Sequence, residues 1–242
     1  MAVNLKPGAL VDGAGAALAV LLPSGCMLCG VRGEHGLDLC AACLAELPRN
    51  DRCCTRCALP LDTPTALCGR CIRRAPPWDA AWSPFRYEYP LDRLEARFKF
   101  AGDLAAGRLL SKLWIETHMP GELPHAMIPV PLHRSRLRSR GYNQALELAK
   151  PLSKSLGVPL LGDVLQRTRP TEAQTELTAL ARRRNVRGAF VARFKDEIPR
   201  HAAVLDDVFT TGATLAECAR VLKRAGVQRV DVWALARAPV RT

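Results

Sequence analysis

Aromatic residues are scarce, at 5% of a 242-residue chain, so few side chains are available as platforms for stacking nucleic-acid bases. Long apolar runs are missing as well. None reaches the ~20 residues that a bilayer-spanning helix needs, which excludes an integral helical membrane protein. Acids are too few to balance the bases, and the formal net charge is +12. That imbalance favours anionic partners, meaning phosphate ligands or nucleic acid, and says nothing about fold. No segment is of low complexity, and 48% of the residues are apolar. A chain of this kind can bury a real core, so wholesale disorder is excluded. Its length suits one ordinary domain with a small one attached.

No export signal is expected either. Gly13 to Leu22 is apolar and runs into Pro23-Ser24-Gly25-Cys26. However, the only preceding lysine, Lys6, is countered by Asp12, and Pro23 stands where a lipoprotein cleavage site needs an aliphatic residue. The segment is expected to be an amphipathic helix packed on the body of the protein, and the chain is expected to be cytoplasmic. In a reducing compartment the ten cysteines are not disulfide material.

What the sequence does have is cysteine in a fixed rhythm. Nine of the ten cysteines lie between Cys26 and Cys71. Eight form four C-x-x-C pairs, Cys26/Cys29, Cys40/Cys43, Cys54/Cys57 and Cys68/Cys71, separated by three spacers of ten residues each. Each pair puts two thiolates on one tight turn, and two such turns complete a tetrahedral zinc site. Four soft thiolates leave no open coordination position, so the zinc is structural, and eight ligands allow two ions. Consecutive pairing makes two zinc ribbons in series, and interleaved pairing makes a cross-brace. Short equal spacers favour the first without deciding it. Cys53 is out of register, His35 reads as a surface residue within the first spacer, and Cys218 reads as core. Pro76-Pro77 closes the cysteine region, which gives a module over 1–75 and a second domain over 76–242.

Beyond Pro77 the texture changes to apolar periodicity. Helix is expected over 91–118, interrupted near Gly102, and again over 143–156 and 213–225. Strands are expected over 126–130, 203–208 and 230–236. Alternating strands and helices imply a parallel, doubly wound α/β sheet with helices on both faces. The most specific segment is Ala203-Val-Leu-Asp-Asp-Val-Phe-Thr-Thr-Gly-Ala-Thr-Leu215. An apolar strand delivers Asp206 and Asp207 to its carboxyl end, and a short loop then opens a helix. Backbone N–H groups of that loop, with the helix N-terminus behind them, make an anion cradle. Gly212 allows close backbone approach, Thr210, Thr211 and Thr214 add hydroxyls, and the two acids stand where they could bond the vicinal hydroxyls of a sugar.

This segment resembles the phosphoribosyl pyrophosphate signature of type I phosphoribosyltransferases. By that resemblance Asp206 and Asp207 hold the ribose hydroxyls, and Thr210, Thr211, Gly212, Ala213 and Thr214 hold the 5-phosphate. Ile128-Pro-Val-Pro-Leu-His133, Arg140-Gly-Tyr-Asn-Gln144, Arg167-Thr-Arg169, Gln174 and Arg182 to Phe190 extend the likeness. In order and spacing they are similar to the ComF family of competence-associated proteins, which joins a cysteine zinc region to a phosphoribosyltransferase domain. The resemblance covers nearly the whole chain. It implies a pyrophosphate-binding loop over 133–143, with Arg140 functional, and a closing loop over 167–184 that includes Arg167, Arg169 and Arg182.

Two functional readings follow. In the first, Mg²⁺ bridges pyrophosphate and ribose oxygens, and a nitrogen nucleophile of unknown identity displaces pyrophosphate at the anomeric carbon. His133 is a weak candidate for a base, and no segment reads as a nucleobase-specific hood. A glutamine-dependent amidotransferase is excluded, because the metal module is too short to be a glutaminase domain. In the second reading the protein is a non-enzymatic accessory of transformation that binds single-stranded DNA and meets other DNA-uptake proteins. Residues 133–187 carry twelve cations against four acids, which suits a polyanion.

Overall fold

The computed structural model describes residues 25–34, 36–63, 65–119, 121–170 and 179–239. The side chains of 179, 180, 182 and 183 lie outside that description, as do the expected N-terminal helix, His35 and Gln174. The chain forms two compact units, one ending at Leu47 and the other beginning at Pro48. The smaller unit holds the first four-cysteine group and one short helix, α1 (Ala41–Ala45). The second four-cysteine group belongs to the larger unit. The boundary proposed from composition, after residue 75, marks the end of the cysteine-rich texture.

The larger unit opens with the second ribbon and its helix α2 (Gly69–Arg73), followed by two-residue strands β1 (Ala81–Trp82) and β2 (Phe85–Arg86). Helices α3 (Leu91–Phe100) and α4 (Leu104–Ile115) come next, then β3 (Ala126–Pro129), α5 (Arg134–Arg140) and α6 (Gln144–Leu156). The chain continues through β4 (Leu165–Arg167), α7 (Ala179–Val186), β5 (Phe190–Ala192), β6 (His201–Phe209), α8 (Ala213–Arg224) and β7 (Arg229–Arg237).

The main sheet is parallel, in the order β1-β7-β6-β3, with β2 following β1 along the same edge of β7. The first five residues of β6 and the last eight of β7 are all buried. Continuous burial, rather than alternation, means that both faces of the sheet are covered. α6 packs against β3 and β6, and α8 against β6 and β7. A separate antiparallel pair, β4-β5, carries the segment after α6. No helix among the described residues is long and apolar enough to cross a membrane.

Local chemistry sets the helix ends. The expected helix over 91–118 is two helices, because Gly102 takes a left-handed φ of 70° and Asp103 caps the second one. Its Oδ1 accepts from the N–H groups of Ala105 and Ala106 at 3.0 and 3.1 Å. Asn143 caps α6 in the same way. The segment read as a loop after His133 is the short helix α5, capped by His133 and ended by left-handed Gly141.

The α3–α4 crossing is close because Gly107 has no side chain. A Cβ there would lie 2.5 Å from the ring of Phe98, which is fully buried and has nowhere to go. Gly107→Ala should therefore lower stability. Overpacking costs about 1–3 kcal/mol, more than the ~1 kcal/mol gained from helix propensity. Thermal unfolding should fall by about 2–4 °C per kcal/mol. An unchanged or raised midpoint would contradict this crossing.

Candidate functional site

The ligand-bearing turns of both cysteine groups are built alike. In the first, Gly30 donates its N–H to the Cys26 carbonyl at 2.9 Å and takes φ 81°, and Cys40 stands at the N-cap of α1. In the second, Ala58 does the same to Cys54 at 2.7 Å with φ 52°, and Cys68 stands at the N-cap of α2. The four Sγ atoms of Cys26, Cys29, Cys40 and Cys43 lie within 4.8 Å of one another, and so do those of Cys54, Cys57, Cys68 and Cys71. The pairing left open by the spacing is thus consecutive. Against the cost of burial, backbone N–H groups at Cys29, Cys40 and Leu28 hold the Cys26 thiol down to about 6. Similarly, the amide of Cys71 and neighbouring thiols hold Cys68 at about 7. In both groups other thiols, Cys43 and Cys71 among them, are instead raised by burial and by their neighbours; it is the spacing of the four sulfurs that fits structural Zn²⁺. Cys53 belongs to neither group, and burial raises its thiol. Cys218 is fully buried in α8, as expected of a core residue.

At the carboxyl end of β6, Asp207 is buried and paired with Lys99 of α3, Nζ to Oδ2 2.6 Å. Its other oxygen accepts the Val208 N–H at 2.7 Å. Burial works against the Asp207 charge, but the Lys99 ammonium prevails and holds its carboxyl below the ordinary value. Asp206 behaves oppositely. Burial, then the neighbouring Asp207 charge, pushes it up to about 8. A third acid, Glu95, lies one helical turn before Lys99 and is fully buried. Neither of its carboxyl oxygens has a hydrogen-bond partner. Burial and the Asp207 charge raise it to about 8.

The loop after β6 begins with two carbonyls, Phe209 and Thr210, both bonded by Arg237 Nη1 at 2.8 and 2.6 Å. The same guanidinium donates to the Cys57 carbonyl at 3.0 Å and lies 4.3 Å from the Phe209 ring centroid. Gly212 takes φ 74°, and a Cβ there would meet the Phe209 ring at 2.6 Å and Trp78 at 3.0 Å. α8 then starts at Ala213, whose N–H donates to Thr211 Oγ1.

The arginines expected at the site divide. Arg140, half-buried, lies in the field of Asp207, and Arg167 in that of Asp206, Arg136 and Arg169. Burial depresses both guanidiniums. A cavity of about 250 Å³ is lined by His133, Ser135, Arg136, Ser139, Arg167 and Pro170. Arg169 instead donates to the carbonyls of Asn185 and Arg187 at the end of α7. The side chain of Arg182 lies outside the described residues. His133 Nδ1 is occupied with Ser135.

Sequence reasoning missed Lys99, Glu95 and Arg237, and it gave Tyr142, within Arg140-Gly-Tyr-Asn-Gln144, no role of its own. Tyr142 donates to the Phe98 carbonyl, which braces α3 beneath the acids. The available signal was Glu95 among Leu91, Leu94 and Phe98, an acid on an otherwise apolar helix stripe.

A family model described as a double zinc ribbon domain matches residues 17–72. Competence protein F of Haemophilus influenzae is 38% identical over 209 residues, 83% of this chain and 90% of that protein. DNA utilization protein YhgH of Escherichia coli K12 is 34% identical over 226 residues, 89% of this chain and 98% of that protein. Competence protein ComFC of Streptococcus pneumoniae is 24% identical over 153 residues, 63% and 66% of the two chains.

Two outcomes are expected. Protein purified under reducing conditions should carry close to two zinc ions per chain, and Cys29→Ser or Cys57→Ser should unfold the corresponding ribbon, since binding and folding are coupled. Metal analysis finding no zinc would contradict the assignment. The second concerns Glu95, whose carboxyl is raised from its ordinary 4.5 to about 8. The folded state therefore holds a proton that the unfolded chain releases, and stability falls as pH rises from about 4.5 to about 8. Glu95→Gln should flatten that loss, read from thermal midpoints across this range. A variant with the wild-type pH profile would show that burial does not hold the proton.

Proposed function

Because the chain belongs to the ComF family of competence proteins, we propose that its parallel α/β body binds phosphoribosyl pyrophosphate, or a related phosphorylated ribose, together with Mg²⁺. The observation that carries this reading is the β6–α8 junction. An acid pair near the strand's carboxyl end is followed, after a short turn, by a helix N-terminus capped by left-handed Gly212. Ligands of open parallel sheets bind at such ends, and the helix N-terminus favours phosphate. In this reading Asp206 and Asp207 take the ribose hydroxyls, and Thr210 to Thr214 take the 5-phosphate. Arg140, with Arg136 and Arg167 at the 250 Å³ cavity, faces the pyrophosphate. Asp207 already has an ammonium partner in Lys99, so the carboxyl left to meet a cation is that of Asp206, which would release its proton in doing so. Mg²⁺ supplies neutralisation of phosphate charge.

In the enzymatic form of the reading, a bond forms between the anomeric carbon and a nitrogen nucleophile as the bond to pyrophosphate oxygen breaks. The displaced pair leaves on pyrophosphate, and the nitrogen's proton passes to solvent. Positioning and charge stabilisation then do the work, because His133 is engaged in capping α5. The names of the relatives, competence and DNA utilization, support a role for this activity in DNA uptake.

A second reading is favoured by α5. Arg134 and Arg138 are exposed there, and neither they nor Arg136 form an ion pair among the described residues. A non-enzymatic member of the family could hold single-stranded DNA on this basic stretch, with the ligand pocket acting as a sensor.

Calorimetry separates the parts. Asp206→Ala removes the carboxyl, and should weaken phosphoribosyl pyrophosphate binding by about tenfold or more, the cost of leaving a buried partner without its hydrogen bond. Equal affinity would refute the assignment. For DNA, the log of affinity should fall linearly with log salt. Arg136→Glu with Arg138→Glu should flatten that slope without changing zinc content. A gel shift with no complex at protein well above ~10⁻⁶ M would leave the basic stretch to the small ligand.

A further inference from the structure

A larger cavity, of about 720 Å³, opens within the larger unit between the second ribbon and α8. Neither Asp206 nor Asp207 lines it. It shares the Thr211–Ala213 turn with the loop already described and then runs along α8 as far as Arg224, about 16 Å of helix at ~1.5 Å per residue. It is therefore a separate space from the acid pair.

Its walls carry charge that no other feature uses. Arg70 and Arg74 come from the ribbon, Arg187 from the end of α7 and Arg224 from the last turn of α8. All four are exposed, and none forms an ion pair among the described residues. The acid on the walls is Glu217, and it is already committed to the Gly188 N–H at 2.9 Å and to Arg220 at 2.8 Å. The zinc thiolates of Cys57 and Cys71 also lie here, but the cation buried against them is Arg237. Two of the four exposed arginines come from elements other than the ribbon, so compensation of the metal site does not account for them. Holding four like charges around one concavity costs energy that an anion would recover.

The shape narrows the ligand. A volume of this size falls within the range of ligand pockets, about 300–1,000 Å³. The aromatic walls, Trp78 and Phe209, are 5% and 2% exposed and present no face on which a base could stack. Recognition here would fall to guanidinium and phosphate, which pair bidentately. We propose that this cleft is a second anion site, which takes a ligand carrying two or more adjacent phosphates. Free polyphosphates and the backbone of a single nucleic-acid strand both present that chemistry.

The test uses the zinc-loaded full chain and two probes, inorganic tripolyphosphate and a short oligothymidylate, by calorimetry at low and high salt. Arg70→Glu with Arg224→Glu reverses charge on opposite walls, and Arg93→Glu with Arg108→Glu, two exposed arginines that line neither cavity, is the control. Zinc content and thermal midpoint report that each variant is folded. Tripolyphosphate binding should fall at least about tenfold in the cleft variant, its salt slope should flatten, and both should stay near wild type in the control. If oligothymidylate binding falls in the same variant, strand phosphates use the cleft. If only tripolyphosphate binding falls, the ligand is a small polyphosphate. Wild-type affinity for both probes in the cleft variant, loss in the control alone, or no binding by the wild type would each overturn the proposal.

Discussion

One buried guanidinium joins the second ribbon to the turn after β6. Arg237 is 2% exposed, at the end of β7, and it donates to the carbonyls of Cys57, Phe209, Thr210 and Ala238. Burial of a charge is tolerated only where its donors are satisfied, and here the backbone satisfies them. In return, the first two carbonyls after the acid pair are fixed, and Phe209 is held against both Arg237 and Trp78. Trp78 in turn donates to the Arg56 carbonyl in the second ribbon. Zinc held by Cys54, Cys57, Cys68 and Cys71 would thus stabilise more than its own turns, because the Cys57 carbonyl and the Arg56 carbonyl hold Arg237 and Trp78 against the turn after β6.

A second constraint lies beneath the acids. Glu95, Asp206 and Asp207 face a single ammonium, Lys99. Three carboxylates cannot all ionise in a buried space with one cation. The arrangement resolves into one charged pair, Lys99–Asp207, with Asp206 and Glu95 both raised to about 8. Because of this, Asp206 can donate a hydrogen bond as well as accept one near neutral pH, and Asp207 serves only as an acceptor. A vicinal diol offers two donors and two acceptors, so such an unequal pair suits it better than two identical anions would.

The sequence made legible whatever is encoded locally. The C-x-x-C rhythm, the apolar run into Asp206 and Asp207 and the threonine-glycine turn are all contiguous; the structure groups the cysteines four and four, makes the run a strand that continues to Phe209, and opens a helix after Gly212. Consecutive pairing of the cysteines was favoured by the spacers and is what the geometry has. What sequence reading could not reach depends on distant partners. Lys99 meets Asp207 across 108 positions, and Arg237 meets Cys57 across 180. Strands β1 and β2, of two residues each, are too short to carry a period. They exist because β7 offers them a parallel edge. The arginines of 134–140 read as loop because their helix has no apolar stripe, and it is defined instead by its two ends, His133 and Gly141.

The turn after the acid pair, if it cradles a phosphate, should be shielded when that ligand binds. Amide hydrogen exchange at residues 210–215 of the zinc-loaded chain tests it most directly, measured with and without phosphoribosyl pyrophosphate and Mg²⁺. The account predicts that ligand slows exchange in this turn and at the start of α8, while the core amides of β7 stay as they were. Unchanged exchange across 210–215 at saturating ligand, or protection confined to other segments, would contradict it.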